Sequence, residues 1–293
     1  NVRALAELDY VVVQDPFLTP TARLADLVLP VTQDLEREDL VTSWGYDRHL
    51  FHAQPALPPA GQARGDYWIF AQLAQRLGFG EAFTEGRDER AWLEHLLARL
   101  PLDTAPLAEE GLLRDDPPPR VALAEFRADP SAHPLPTPSG KIELVSADGA
   151  SVGLPTLPAA VDAEPSASEG YPLQCVTPHS RLRSNSCCHA NDWLRALEPH
   201  AVWIHPADAS ARDIREGQRV DVVSAQGRIR LPARVTERIM PGVVCVYQGA
   251  WCRPDEQGVD VGGCANTLTA AAHSPTGGMT THSLWVEVRS TPE

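Results

Sequence analysis

Short apolar runs, each bounded by turn residues, fill the chain between residues 172 and 293. Gln226-Gly227 and Pro241-Gly242 are two of the turn signals that separate these runs. One segment of this region, Pro206–Ile214, has the composition of a short helix. Many short strands with one small helix are typical of a closed β-barrel, which we predict for residues 172–293. The predicted strands are Leu173–Thr177, Ala201–Ile204, Arg219–Ser224, Arg228–Val235, Val243–Tyr247 and Trp285–Val288.

Residues 1–105 instead alternate apolar runs with amphipathic helices. The run Tyr10–Gln14, YVVVQ, ends at Asp15 and predicts a buried strand of a parallel sheet. Asp66 is predicted to cap a helix that stops at Gly78, and another helix follows Asp88. This alternation indicates part of a doubly wound α/β domain, so the whole chain is predicted as α/β plus β.

Residues 106–171 are predicted as a linker with surface excursions. Asp115–Arg120 and Pro155–Pro172 are rich in proline and small polar residues, as linkers are. Between them, Thr137–Ser146 reads TPSGKIELVS and predicts a turn that leads into a strand, with a hairpin edge as its plain structural role.

Charge and cysteine content restrict the classes of ligand. The formal net charge is -14 at pH 7, which argues against nucleic acid as a partner because a phosphate backbone requires a basic surface. A local pair of arginines can still bind a small anion. No run of about eighteen apolar residues occurs, so no transmembrane segment is predicted in this chain. The six cysteines show no CxxC spacing, which favours free thiols over a metal site.

A polar loop, TPHSRLRSNS, follows the first predicted strand of the barrel. Cations, hydroxyls and amides suit the phosphates and ring edges of a nucleotide-like cofactor. Arg181 and Arg183 are two apart, so in an extended segment both could meet one anion. The alternatives are a solvated polar loop and an ion pair of one arginine with Glu198. The candidate binding residues of this loop are Thr177, His179, Ser180, Arg181, Arg183, Ser184, Asn185 and Ser186.

Five further candidates lie in other segments. GGCANTLT offers a flexible glycine pair before Asn266 and Thr267, although a glycine-rich turn with a capping asparagine has the same sequence. His282 precedes the last strand and is either a ligand contact or a structural residue. Asp15 stands where its strand ends, at the edge where α/β sheets bind nucleotides, and is also a plain turn opener. Asp39 is a second acidic candidate or an ordinary exposed acid, and these residues complete the set of candidates.

These motifs, together with DPFLTPTARLADLVLP near the start and HPADASARDIREGQRVDVVSAQGRIRLPARVTERIMPGVV in the barrel region, resemble the molybdopterin oxidoreductases of the dimethyl sulfoxide reductase family. The resemblance implies a double-psi β-barrel and a molybdenum atom held by two pterin guanine dinucleotides. It also implies that the residue that ligates molybdenum, and the cysteines of any 4Fe–4S cluster, lie upstream of residue 1. We therefore expect no catalytic residue in this chain and no activity from it alone.

The resemblance further implies a two-electron oxidoreductase of anaerobic respiration that removes an oxygen atom from a small-molecule S-oxide or N-oxide. An iron–sulfur electron-transfer subunit and a membrane anchor subunit are the implied protein partners, in the periplasm or the cytoplasm of a prokaryote. Two alternatives stay open. One is a non-catalytic cofactor-binding or structural subunit, and the other is the formate dehydrogenase or nitrate reductase branch of the family.

Overall fold

A computed structural model of the chain describes residues 2–42, 49–114, 118–119, 121–157, 170–270, 278–279, 281–282 and 284–291. The chain divides into two compact units, Asn1–Arg127 and Ala128–Glu293. No helix among the described residues is long and apolar enough to cross a membrane. The predicted domain limits at residues 105 and 171 remain predictions.

The first unit contains two small sheets. Its strands are β1 Val12–Gln14, β2 Leu27–Leu29, β3 Asp39–Thr42, β4 His49–Ala53 and β5 Leu112–Arg114. β1 and β2 are parallel, which confirms the α/β arrangement expected from YVVVQ, although the observed strand is shorter and Tyr10 is exposed. β3, β4 and β5 form an antiparallel sheet that the sequence did not predict. The first unit is thus a mixed layer rather than a purely parallel one.

Helices follow the first unit's strands as the sequence predicts. The helix predicted to follow Asp66 spans Asp66–Arg76, and Gly78 follows it with a positive φ of 86°. The predicted cap is wrong, because Gly65 is the N-cap and Asp66 is the first helical residue. The helix predicted after Asp88 is capped by that residue, whose Oδ1 accepts the backbone N–H of Ala91 at 2.8 Å. The helices, in chain order, are α1 Val2–Ala6, α2 Asp66–Arg76, α3 Gly80–Thr84, α4 Glu89–Ala98, α5 Ala105–Glu110 and α6 Ala124–Ala128.

The second unit is built around a closed six-stranded barrel, which confirms the prediction from the apolar runs. Its helices are α7 Ala147–Ser151, α8 Asp192–Leu197 and α9 Pro206–Ser210. The strands follow in the order β10, β6, β11, β8, β9 and β7 around the barrel. Their bounds are β6 Leu173–Val176, β7 Val202–Ile204, β8 Arg219–Val223, β9 Arg228–Val235, β10 Val243–Val246 and β11 Leu284–Ser290.

The strand directions place the polar loops. β6 is parallel to β10, and β7 is parallel to β9, whereas the other neighbours in the barrel are antiparallel. Because parallel strands end at the same edge, the segments that follow β6 and β10 leave the barrel side by side. The TPHSRLRSNS loop is the segment that follows β6.

Alternate side chains of the strands fill the barrel. On β9, Ile229, Leu231 and Ala233 point inward and are buried. Ile204 and Val286 are also fully buried in this core. Burial of each such valine, isoleucine or leucine side chain contributes about 1.5–3 kcal/mol. The barrel is therefore a rigid support for the loops at its edge.

The strand predicted within Thr137–Ser146 is wrong. This segment is a tight turn followed by irregular backbone, and the Thr137 hydroxyl donates to the carbonyl oxygen of Lys141 at 2.7 Å. Ile142 and Leu144 alternate as in a strand, but both are exposed. A strand needs a neighbour for its ladder of hydrogen bonds, and no other described strand pairs with this segment.

Candidate cofactor-binding site

Two of the predicted residues meet at the start of the polar loop. Thr177, which is 1% exposed, donates its backbone N–H to Nδ1 of His282 at 3.2 Å. The Thr177 hydroxyl donates to the carbonyl oxygen of Thr281 at 3.1 Å. The structure therefore brings together two candidates far apart in sequence, and both of these Thr177 groups have protein partners.

His179 and Asn185 also come together. Nε2 of His179 lies 3.1 Å from Oδ1 of Asn185, and the side-chain amide of Gln248 donates to the same oxygen at 3.4 Å. The backbone N–H of Gln248 donates to the carbonyl oxygen of Pro178 at 3.0 Å. Gln248 stands just after β10, so sequence reasoning missed it. Only the parallel pairing of β6 with β10 reveals it.

The two arginines of the loop have different environments. The Ser180 hydroxyl accepts the backbone N–H of Leu182 at 3.1 Å, which folds the segment into a turn. The same hydroxyl donates to the carboxylate of Glu198 in a short hydrogen bond. Arg181 is exposed and forms no ion pair with the described residues, whereas Arg183 is half-buried. The expectation of an extended segment is wrong, because the Ser180 hydroxyl holds the backbone between the two arginines in a turn. That both arginines meet one anion stays a prediction.

The remaining serines of the loop are exposed. The carbonyl oxygen of Ser184 accepts the backbone N–H of Cys187 at 3.0 Å, and that of Ser186 accepts the indole N–H of Trp251 at 3.1 Å. Asn185 adopts a left-handed conformation with φ of 52° between them. Both serine hydroxyls therefore sit on a surface turn that Trp251 supports.

His200 connects the TPHSRLRSNS loop, Thr177–Ser186, called the arginine loop below, with the GGCANTLT segment, Gly262–Thr269, called the glycine loop. Its Nε2 donates to the carbonyl oxygen of Gly263 at 2.9 Å, and its Nδ1 lies 3.5 Å from Nη2 of Arg183. Burial lowers the pKa of His200, and the nearby charge of Arg183 acts in the same direction. A neutral ring with its proton on Nε2 satisfies both contacts. Sequence reasoning missed this role, because a lone histidine has no motif.

Two nitrogen atoms at this place are buried without a hydrogen-bond partner among the described residues, Nε of Arg183 and Nδ1 of His189. Burial lowers the pKa of the Arg183 guanidinium. Burial, followed by the charges of Arg183 and Arg195, lowers the pKa of His189 to about 4. The Nε–H of Arg183 is a donor, and a buried donor without a partner is costly, so this cluster calls for an acceptor from outside the protein. An anion is the ligand that fits.

The GGCANTLT segment is organised by Asp260, which sequence reasoning missed. Asp260 is 1% exposed, and its carboxylate accepts several bonds from the segment that follows it. The Thr267 hydroxyl donates to it at 3.0 Å and is thereby occupied. Asn266 is exposed in a short 3-10 helix, Ala265–Thr267, and its side chain forms no hydrogen bond with the described residues. An aspartate two residues before a glycine pair was the available signal.

Glycines allow these segments to pack backbone against backbone. A Cβ on Gly249, whose φ is 89°, would lie 1.7 Å from the carbonyl oxygen of Asn185. A Cβ on Gly262 would lie 2.0 Å from the carbonyl oxygen of Trp251. These distances are far below contact, so only glycine fits at both positions. The result is a compact polar surface in which Asn266 faces outward.

The two acidic candidates belong to the first unit. Asp15 follows β1, and its carboxylate accepts the backbone N–H of Phe17 at 2.8 Å and the Thr19 hydroxyl at 3.2 Å. This is the turn-opening role that its sequence also allowed. Asp39 pairs with Nε of Arg37 at 3.1 Å and lines a cavity of about 270 Å³.

That cavity has mixed polar and aromatic walls. Arg37 and Asp66 supply charge, whereas Tyr67 and Trp92 supply ring surface. The indole N–H of Trp92 donates to the Tyr67 hydroxyl at 2.9 Å, which fixes both rings. Among the described residues, no group of three or more histidine, cysteine, aspartate or glutamate side chains is arranged to hold a metal ion, and the six cysteines are free thiols.

A closed barrel whose edge carries a buried arginine with an N–H that none of the described residues accepts, together with a glycine-built polar turn, defines a binding domain for an anionic, dinucleotide-like cofactor. Residues 173–285 match the family model of the molydopterin dinucleotide binding domain, and residues 1–76 match that of molybdopterin oxidoreductase. The chain belongs to the molybdopterin oxidoreductases of the dimethyl sulfoxide reductase family, as the resemblance predicted. The cofactor of this family's binding domain is a pterin dinucleotide with molybdenum.

Several relatives share more than a third of their aligned residues with this chain. A putative dimethyl sulfoxide reductase chain, YnfE of Escherichia coli (strain K12), is 37% identical over 92% of this chain and 37% of its own length. Trimethylamine-N-oxide reductase of Haemophilus influenzae is 36% identical over 92% of this chain and 36% of its own. The chain therefore spans well under half the length of these relatives.

The fold has a solved counterpart in acetylene hydratase from Pelobacter acetylenicus. The two structures superpose with a TM-score of 0.77 at 23% sequence identity, over 99% of this chain and 41% of that one. This similarity concerns the fold, and it confirms the predicted combination of α/β elements with a β-barrel.

Proposed function

We propose that this chain supplies much of the cofactor-binding surface of an oxidoreductase that reduces an S-oxide or an N-oxide by oxygen-atom transfer. The observation that carries the proposal is a pair of buried nitrogens, Nε of Arg183 and Nδ1 of His189, which have no hydrogen-bond partner in the described part of the chain and lie beside the polar turn of Asn266. The substrate class rests on relatives whose names are dimethyl sulfoxide and trimethylamine-N-oxide reductases.

The residues of the barrel fit the parts of a pterin dinucleotide. The Arg183 guanidinium offers a desolvated cation to a pyrophosphate, and the neutral His189 ring offers a buried ring nitrogen beside it. The exposed Arg181 adds charge at the rim of this surface. The Asn266 amide offers one donor and one acceptor to the edge of a pterin ring. When bound, the cofactor supplies the two-electron chemistry at molybdenum, and these residues bind and orient it.

Electrostatics favour an anion at this place in spite of the overall charge. The chain carries a net charge of -14, yet Arg183, Arg195 and Arg253 all act on His189. The His189 ring is neutral beside these cations, so it adds no further buried positive charge. An incoming phosphate would both pair with the guanidinium of Arg183 and accept its unpartnered N–H.

The first unit is proposed to bind a guanine end of the cofactor. The cavity beside Asp39 has a carboxylate for the ring N–H groups of guanine and two fixed aromatic rings along its wall. Asp15 is proposed as a second acceptor, because it ends a strand of the parallel pair where α/β sheets bind nucleotides.

The double variant R181A/R183A tests the phosphate contact. We expect about tenfold to a hundredfold faster loss of pterin dinucleotide during dialysis, because a charge-assisted bond to phosphate is removed. The protein is expressed at its natural length in a host that makes the cofactor, and molybdenum and guanine nucleotide are measured. The control R215A/R219A removes the same charge at two exposed positions of the α9–β8 region.

Two results would count against the proposal. A wild-type protein that folds but contains neither molybdenum nor tungsten would exclude the cofactor. A loaded protein that reduces neither S-oxides nor N-oxides with a reduced dye would exclude the substrate class and favour a non-catalytic subunit.

A further inference from the structure

The Asp260 carboxylate bonds to four donors in the segment around it. Oδ1 accepts the backbone N–H groups of Arg253 and Gly262, both at 2.8 Å. Oδ2 accepts the backbone N–H of Cys264 at 2.8 Å and the Thr267 hydroxyl at 3.0 Å. We propose that Asp260 is the positioning residue of the cofactor site. Asp260 holds the turn around Asn266, within residues 262–269, in its binding conformation before the cofactor binds. This inference rests on the proposed function.

Asp260 is also fixed to the barrel wall. Its backbone N–H donates to the carbonyl oxygen of Arg228 at 3.2 Å, and its carbonyl oxygen accepts the backbone N–H of Arg230 at 2.9 Å. The backbone of Asp260 is thus bonded to β9, while its side chain is bonded to the segment that contains Gly262, Cys264 and Thr267. Asp260 adds to the bonds that His200 makes to Gly263 and Ser224 makes to Leu268, and it links the segment to β9.

Only a carboxylate satisfies this arrangement. All four partners are donors, and each carboxylate oxygen accepts two of them. An asparagine at this position would present an NH2 group to two donors and would leave them without an acceptor. Asp260 is 1% exposed and forms no ion pair with the described residues, so these donors are what compensates its charge.

The packing on the other side of the turn is equally close. A Cβ on Gly227, in the β8–β9 hairpin, would lie 2.5 Å from the carbonyl oxygen of Thr267. The turn is thus held between the hairpin and Asp260, while the Asn266 side chain stays exposed. A site that is ordered in advance loses less conformational entropy on binding, so Asp260 should act on affinity through Asn266.

The variant D260N tests the inference in two measurements. In the cofactor-free chain we expect hydrogen exchange of the Gly262 and Cys264 amides to accelerate by about tenfold or more, with the barrel strands still protected. In the loaded protein we expect pterin dinucleotide to dissociate about tenfold or more faster than from the wild type. D255N is the matched control, because Asp255 holds the preceding turn through the backbone N–H groups of Gln257 and Val259.

The outcomes separate this inference from the proposed function. If D260N exchanges and releases cofactor like the wild type, Asp260 does not position the turn and the inference is overturned. If the wild type binds no dinucleotide, the proposed function fails, while the exchange measurement still reports on the turn.

A second pair of variants applies if D260N does not fold. T267V removes one of the four donors and T267S retains it, so amide exchange at Cys264 should rise in T267V alone. Equal exchange in both variants would overturn the inference.

Discussion

Nε2 of His200 donates a hydrogen bond of 2.9 Å to the carbonyl oxygen of Gly263. Through this bond the arginine loop and the glycine loop, which are separated by most of the barrel in sequence, share one side chain. The ring must remain neutral, because its other nitrogen faces the guanidinium of Arg183. Protonation of His200 or of the neighbouring His189 should therefore lower the stability of the folded chain.

The first prediction concerns the pH dependence of stability through His189. Its pKa is lowered from 6.5 to about 4 in the folded chain, so the unfolded chain binds the proton first as the pH falls. The contribution of neutral His189 is present above pH 6.5 and is lost as the pH falls toward about 4. Denaturant titrations at several pH values give the free energy of unfolding as a function of pH. This free energy should change less steeply with pH in H189Q than in the wild type. Identical slopes would mean that His189 does not titrate in this window.

The second prediction compares two glycines with left-handed backbone. Gly249→Ala places a methyl group 1.7 Å from the carbonyl oxygen of Asn185, whereas Gly258→Ala meets nothing within 4 Å. Both variants bear a backbone cost of roughly 1–2 kcal/mol. The free energy of unfolding of G249A should fall by about 1–3 kcal/mol more than that of G258A, because the loop that contains Asn185 must move. Urea unfolding measures the difference, and equal losses would show that the loop yields freely.

The third prediction concerns thiol reactivity. Burial raises the pKa of Cys175 to about 12 and that of Cys245 to about 11, whereas Cys187 and Cys188 are exposed. Thiolates are the reactive species, so iodoacetamide at about pH 8 should modify the exposed pair first. Cys175 and Cys245 should react only in denaturant. Peptide mass spectrometry gives the order, and early labelling of Cys175 would show that the barrel opens.

The fourth prediction concerns limited proteolysis. The barrel core contains fully buried side chains such as Ile229 and Val286, whereas Leu107 is the one large side chain that is fully buried among the described residues of the first unit. Tyr10 and Leu77 of that unit are exposed. Residues 172–293 should therefore survive as a stable core while residues 1–105 are cleaved. A surviving N-terminal fragment with a degraded barrel would contradict both the prediction and the proposed domain limits.

Apolar periodicity predicted most of the barrel because its strands are buried on one face. β9 has the predicted bounds, Arg228–Val235, and the strand predicted at Val243–Tyr247 ends one residue earlier. The same reasoning failed at Thr137–Ser146, because Ile142 and Leu144 alternate without a neighbouring strand. Periodicity reports a face that can be buried, and pairing decides whether a strand forms.

The site was predictable only where its residues lie within a motif. Thr177 and His282 were both chosen from the sequence, and the structure joins them. Asp260 and His200 were missed, because each acts through contacts that exist only once the barrel is closed. The motifs therefore predict which loops face a ligand, and this stays a prediction, while the buried residues that hold those loops required the structure.

The pairing of β6 bears on how the domain folds. Cys175 lies opposite Val244 on one side and Leu284 on the other, so both neighbours of β6 come from late in the chain. Contacts between residues so distant in sequence form slowly, because a long loop must close before they yield any stabilisation. We therefore expect the arginine loop and the glycine turn to assemble at the end of folding, so that the dinucleotide meets a finished barrel and not a folding chain.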